Sequence, residues 1–302
     1  MLLLLGAFFL VIAGVATFWG ADKAEHTPLN TDTYTYLAGT ADVLDASLGT
    51  LTTEPVVYNQ HTQVDPNKST DDVIVFKTAS CLMVDTGDNP FCLDGSDPNL
   101  ISATVEYAAT DRHTGLLVSD QAKYVGDDNV MPGAEGLYNK FPFGTQKKTY
   151  QIYDDLVQKP VDAVYKGTST LNGVTVYEFD ENIPTTDAEI IEGVQGTYSN
   201  QTQIWVEPKT GAIQKEHVVQ DRKMPDGTTA LHLDITQTDA SVKDTTDDAA
   251  KNVNQLKLVG TYLPIGGLIL GIVCLVVGFW LQRKPSKPSE PKTPTRDATP
   301  VA

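Results

Sequence analysis

The sequence predicts a mainly β protein: an antiparallel, β-rich region flanked by N- and C-terminal transmembrane helices. Three observations predict it. The 302 residues open on an uncharged apolar run, MLLLLGAFFLVIAGVATFW (1–19), and carry a second, TYLPIGGLILGIVCLVVGFWLQ (261–282), near the other end. Between them, short segments alternate apolar and polar residues, as strands do with one face on a core and one in water. Gly, Pro, Asn and Asp punctuate those segments, and no long helical period interrupts them.

Nineteen helical residues rise ~28 Å, about one hydrocarbon core, so 1–19 is long enough to span a bilayer. Its length and the lack of an A-x-A site before Ala21 favour an uncleaved anchor; a signal peptide is the alternative. The second span is placed at 259–282, with Tyr262 and Trp280 where amphipathic rings favour the interface. Gly267 and Gly271 form a G-x-x-x-G, which permits close helix packing, and the first helix offers Ala13, Gly14 and Thr17 as its partner face. Arg283, Lys284, Lys287, Lys292 and Arg296 follow, against only Glu290 and Asp297. The positive-inside rule then puts the tail, 283–302, in the cytoplasm, where its Pro- and Lys-rich composition predicts disorder. Two spans make both termini cytoplasmic and put residues ~20–258 outside the plasma membrane.

That compartment decides the cysteines. Cys81 and Cys92 bracket CLMVDTGDNPFC, a stretch dense in turn formers. Outside the membrane thiols oxidise, so the two are expected to pair. Zinc would need two further ligands at suitable spacing, and C-x-x-C redox chemistry has a different spacing. Cys274 lies in the second span as a small apolar residue.

The formal net charge is −17; without the basic tail it is −20, from 17 bases and 37 acids. A surface this acidic repels nucleic acid and anionic headgroups.

The exterior region, 20–242, offers ten strand candidates: 31–39, 71–80, 102–111, 115–124, 148–155, 161–169, 174–182, 201–208, 212–221 and 230–238. An internal echo runs through them. TVEYAATDRHTGLLVSDQ (104–121) and QTQIWVEPKTGAIQKEHV (201–218) both read strand, turn, strand. Each turn ends in a Thr-Gly pair, Thr114-Gly115 and Thr210-Gly211, where glycine can take positive φ and close a hairpin. The echo divides the region into two related β units, 30–130 and 140–242, with a boundary near VMPGAEGLYNKFPFG (130–144). Residues 243–258 are expected to form a polar juxtamembrane stalk helix: three acids suit its start, and Ala249, Val253 and Leu256 form one stripe.

Catalytic patterns are missing. His26, His61, His113, His217 and His232 form no metal spacing, and His113 and His217 are expected as exposed polar rings beside the turns. There is no nucleophile elbow, P-loop or dinucleotide fingerprint. The acidic loops 65–72 and 85–97 lack the sixth-position Gly and twelfth-position Glu of an EF-hand and suit solvated turns. No enzyme activity, metal or cofactor is expected.

DRHTG (111–115), FPFGTQKKTYQIYDD (141–155) and VEPKTGAIQKEH (207–217), set between two terminal helices, resemble the actinobacterial porin PorA family of mycolic-acid-bearing bacteria. The resemblance extends to residue ~282 and implies a pore or porin-associated role, with no catalytic residues to carry over. The residues themselves argue differently. A membrane β-barrel would need lipid-facing strands with aromatic girdles, and two helices without internal charge do not line an aqueous channel. The function expected from the sequence is non-enzymatic: the external β domain binds an envelope lipid or glycolipid, or scaffolds a membrane protein complex. A lipid carrier predicts a large apolar cavity; a scaffold predicts a filled core with an exposed apolar patch.

Overall fold

The computed structural model describes residues 1–45 and 49–283. The described residues divide into two compact units, one within 22–256 and one made of the terminal segments 1–21 and 257–283.

In the terminal unit, α1 (Leu2–Val15) continues through a π-turn at Ala16–Gly20 into the short α2 (Ala21–Ala24). The stretch Leu2–Gly20 is long and apolar enough to cross a membrane, and so is the helical stretch Asp239–Gln282.

In the larger unit the described strands form one ten-stranded antiparallel sheet. They are β1 (Asp32–Asp45), β2 (Thr50–Val64), β3 (Val73–Val84), β4 (Leu100–Asp111), β5 (Tyr150–Asp154), β6 (Lys159–Leu171), β7 (Val174–Ile191), β8 (Val194–Val206), β9 (Ile213–Lys223) and β10 (Thr229–Gln237). A one-turn helix α3 (Ala122–Val125) lies between β4 and β5. The helix α4 (Asp239–Lys257) closes this unit; a π-turn, Leu258–Tyr262, leads to α5 (Leu263–Gln282) of the terminal unit. The sheet order is β4-β3-β2-β1-β10-β9-β8-β7-β6-β5. The strands of 30–130 and those of 140–242 thus join through the β1–β10 pair into one sheet.

The edge strands do not end free. Thr110 of β4 bridges to Leu117, Leu116 to Leu137, and Leu137 to Ile152 of β5, the last in parallel. Backbone bonds from Leu137 N to Gln151 O (2.8 Å) and from Tyr153 N to Leu137 O (3.0 Å) complete the link. These single bridges close the sheet on itself at the Thr110 end of β4.

Register sets the inner face. Leu37, Ala41, Val56, Leu82, Leu231, Leu233 and Ile235 form one buried cluster there, and Leu137, Phe141, Ala163, Phe179, Ile204 and Val206 another. Burying one such aliphatic or aromatic side chain contributes about 1.5–3 kcal/mol. The outer face is covered locally: α3 brings Val125 onto Val75 and Ala109.

Two strand expectations need correction. Residues 115–124 are not a strand. Leu116 and Leu117 make single bridges, and the chain then turns because Gln121 bonds the backbone of β4, accepting from Ala109 N (2.9 Å) and donating to its carbonyl (2.7 Å). β2 has no counterpart among the expected strands. Its sequence, TLTTEPVVYNQHTQV, is polar, and Pro55 interrupts it; pairing to β1 and β3 on both sides imposes the conformation. The tail beyond residue 283 lies outside the described residues.

Candidate functional site

The two echo turns are built alike, each around a carboxylate that takes two backbone amides and a threonine hydroxyl. Asp111 Oδ1 accepts from His113 N (3.0 Å), Thr114 N (2.7 Å) and Thr114 Oγ1 (2.8 Å). Glu207 takes Lys209 N on Oε1 (3.0 Å), and Thr210 N (2.8 Å) and Oγ1 (2.7 Å) on Oε2. Gly115 and Gly211 stand at φ +75° and +73° and donate to Asp111 O and Glu207 O, both at 2.9 Å. Burial opposes ionisation of Asp111, but the Thr114 and His113 donors outweigh it and hold its carboxyl below the usual range. Both turns then dock on one segment. Tyr138 N bonds Gly115 O and Phe143 N bonds His113 O; Phe141 N bonds Gly211 O and Gly144 N bonds Lys209 O. The segment placed in sequence as a boundary therefore joins the two turns.

His113 is not a free surface ring. Its Nδ1 lies 2.8 Å from Glu25 O, and its ring stacks on Phe143 at 5.8 Å. Nearby, Lys140 Nζ donates to the Thr27 hydroxyl (3.1 Å) and sits 3.6 Å from the Phe143 ring centre. Burial brings the Lys140 ammonium down to about 7. His217 pairs with Asp234 at 2.8 Å on the outer face.

The inner face carries acids that sequence reasoning missed. Glu181 is buried in register with Thr202 of β8; Asn200 Nδ2 donates to its Oε1 at 3.2 Å. Burial, reinforced by Asp154 and Glu216, pushes its carboxyl up to about 8. Glu216 of β9 is enclosed by protein while part of its surface stays accessible, and burial pushes it up to about 7. Asp154 is raised chiefly by burial, although it accepts from Tyr198 Oη (3.0 Å) and from the Leu156 and Val157 amides. Glu106 of β4 accepts from Tyr138 Oη (2.8 Å) and also meets the Asp155 carboxyl; burial first, then Asp155, raises it. The sequence signal for these groups is phase. Glu181 lies between Phe179 and Ile183, and Glu216 two residues before Val218, each in step with inner-face residues.

Two clefts are described. One of about 290 Å³ is lined by Asp155, Glu189, Glu192 and Arg222 among others, and one of about 130 Å³ by Tyr198, Asp221 and Lys223 among others. Neither is large; Leu156, Ile190 and Ile191 join the charged groups in the first, and the second is mainly polar. Among the described residues no group of three or more His, Cys, Asp or Glu is placed to hold a metal ion. The Asp85 carboxylate instead serves its own loop, accepting from Gly87 N (2.8 Å) and Asn89 Nδ2 (2.6 Å).

Cys81 and Cys92 form a disulfide. It lays the loop over β2, where Asn59 Nδ2 donates to Phe91 O at 2.9 Å. Beside it the outer face is aromatic. Tyr34 stacks on His61 (4.1 Å between ring centres) and meets Phe91 edge-on at 5.9 Å. Register carries this row across the sheet from Tyr34 to His61, Ala79 and Val105. Tyr34, Tyr36 and Val105 are 48%, 40% and 56% exposed.

In the terminal unit the glycines mark the contact between α1 and α5. A Cβ at Gly267 would stand 3.1 Å from Phe9 O, and one at Gly271 2.8 Å from Leu10. Gly6 and Gly278 make equally close approaches, to Leu275 and Leu3. Of the expected partner face, Ala13 meets Gly267, whereas Gly14 faces open space.

An antiparallel ten-stranded sheet, together with two apolar helices long enough to cross a membrane, defines a β protein that bears two membrane-length helices. The family model for Porin PorA matches residues 1–280, and the chain belongs to that family. It is 32% identical over 101 residues to a protein named Porin PorA from Corynebacterium amycolatum, covering 30% of this chain and 26% of that one. It is 28% identical over 112 residues to another Porin PorA, from Corynebacterium resistens, covering 33% and 27%. The matched stretch thus spans about a quarter of each relative's length.

Proposed function

We propose that this chain is a non-enzymatic protein of the cell envelope, anchored in the plasma membrane, whose external β unit docks a membrane protein complex and helps assemble it. The observation that carries this is the aromatic and aliphatic row on the outer face, Tyr34, Tyr36, His61, Phe91 and Val105, with Tyr34, Tyr36 and Val105 substantially exposed. Exposed apolar patches mark interaction sites, and Tyr and Phe are enriched at interface cores. The small size of the clefts supports docking over carriage of an acyl chain inside the sheet. Both termini lie in the cytoplasm in this arrangement.

The names of the two relatives favour a second reading, a pore or a porin-associated role. Native mass spectrometry of the chain purified in mild detergent from its own membranes separates these readings. Docking predicts co-purifying membrane subunits that are lost on Tyr34→Ser with Val105→Ser. A stoichiometric envelope lipid or glycolipid in their place overturns docking in favour of carriage. Conductance of the purified chain in planar bilayers establishes the pore.

A further inference from the structure

The ring of strands is weakest where β4 meets β5. Long runs of register pairs hold β1 to β2, from Asp32 to Asp45, and β3 to β4, from Val73 to Met83. The β4–β5 seam has three isolated bridges through Leu116, Leu117 and Leu137. One side-chain node reinforces them. Glu106 projects inward from β4, opposite Thr78 of β3. Tyr138, next to the bridging Leu137, donates its hydroxyl to Glu106 Oε2 at 2.8 Å. Asp155, the residue after β5, brings a second carboxyl within hydrogen-bonding reach of Glu106. Two carboxyl groups bond one another only when a proton lies between them; two ionised carboxylates at that range repel. The other titratable groups facing the node are Tyr58 from β2, Tyr153 and Asp154 from β5, Glu181 from β7, Tyr198 from β8 and Arg222 from β9, the last lining one cleft with Asp155. The one cation among them, Arg222, faces Asp155, and none of them is a cation set against Glu106.

We propose that this node is a proton-operated latch on the sheet: protonated Glu106 bonds Asp155 and closes the seam between β4 and β5, and ionised Glu106 repels Asp155 and lets the seam open. The direction follows from linkage. The closed seam holds the Glu106 proton to higher pH than the open one, because burial and Asp155 both raise its pKa there. The latch is therefore fully closed below the ordinary carboxylate range. It loosens as pH rises toward the raised value of the closed state and changes no further above it. Opening gives water access to the inner acids Glu181 and Glu216.

Hydrogen exchange of the full chain in detergent micelles, corrected for the intrinsic pH dependence of exchange, tests this. The reporting amides are Leu137, Tyr138 and Tyr153, which bond Gln151 O, Gly115 O and Leu137 O. Their protection is expected to fall up to about tenfold per pH unit from about pH 5 toward neutrality, as for one linked proton, and then to level off. Amides in the β8–β9 pair, such as Gln203 and Glu216, serve as controls away from the seam. Glu106→Gln keeps an acceptor for Tyr138 and supplies a permanent donor to Asp155, so its seam is expected to stay protected at every pH. Asp155→Asn removes the repelling charge and is expected to flatten the same curve, which decides the matter if Glu106→Gln loses protection at the control amides as well. Seam amides whose protection is independent of pH in the natural chain, or a pH dependence unchanged in the two variants, would overturn the proposal.

Discussion

Replacing Glu181 by Gln should stabilise the β unit, although it removes a charged residue type from a hydrogen-bonded position. Glu181 is 7% exposed, and its carboxyl sits near 8 against an ordinary 4.5. Below about 4.5 the folded and unfolded chains both hold the proton. As pH climbs from there toward 8, the unfolded chain releases it and the folded chain does not, so stability is lost across that window. At pH 7 the mismatch spans about 2.5 pH units, or about 3 kcal/mol at 1.36 kcal/mol per unit. The glutamine of the variant carries no such proton, and its Oε1 still accepts from Asn200 Nδ2. The measurable quantity is the difference in stability between variant and natural chain at two pH values. It should move by about 3 kcal/mol in favour of Glu181→Gln between about pH 4.5 and about pH 7. For a unit of this size that is on the order of 6–12 °C in Tm. Circular dichroism of the sheet during thermal unfolding in detergent reads it. Parallel pH profiles for the two proteins would refute the reasoning, because they would mean that Glu181 ionises inside the fold at its ordinary pKa.

Two further substitutions test how the turns and the loop are held. Gly211→Ala drives a Cβ into the Phe141 carbonyl at φ +73°, whereas Gly173, at φ +83°, has open space around it. Gly211→Ala is therefore expected to cost about 2–4 kcal/mol and Gly173→Ala about 1–2 kcal/mol in chemical denaturation; equal costs would mean that docking on residues 138–144 contributes little. Cys92→Ser opens a loop whose ends are 11 residues apart in sequence and should lower stability by about 2–3 kcal/mol. Reductant should destabilise the natural chain by the same amount and leave the variant unchanged.

Much of the fold could be read from residue order because its causes are local. The alternation of TYTYLAG, VIVFKTAS and ALHLDITQ marks strands on its own, since neighbouring side chains on a strand point to opposite faces. The Thr-Gly pairs announced two turns of one design, and the structure shows the same hydrogen-bond pattern in each. β2 was not legible, because a polar strand containing Pro55 is held by its two neighbours rather than by its own propensity. The segment 115–124 misled for the opposite reason. Its apolar run has strand character, but Gln121 diverts the chain by satisfying the backbone of β4.

The sequence by itself determined the two membrane-length helices, the antiparallel β class, the pairing partners Cys81 and Cys92, and the acidic balance of the region between the helices. Each follows from composition or short spacing, which need no knowledge of distant neighbours. Tertiary structure alone decided that the strands of both halves share one sheet, that its edges meet, and that both echo turns rest on residues 138–144. It also decided that Glu106, Glu181 and Glu216 turn inward. An acid in phase with apolar residues is buried or exposed according to what packs opposite it, and that partner comes from strands tens of residues away. The placement of those carboxyls, and with it their affinity for protons, is a property of the closed sheet.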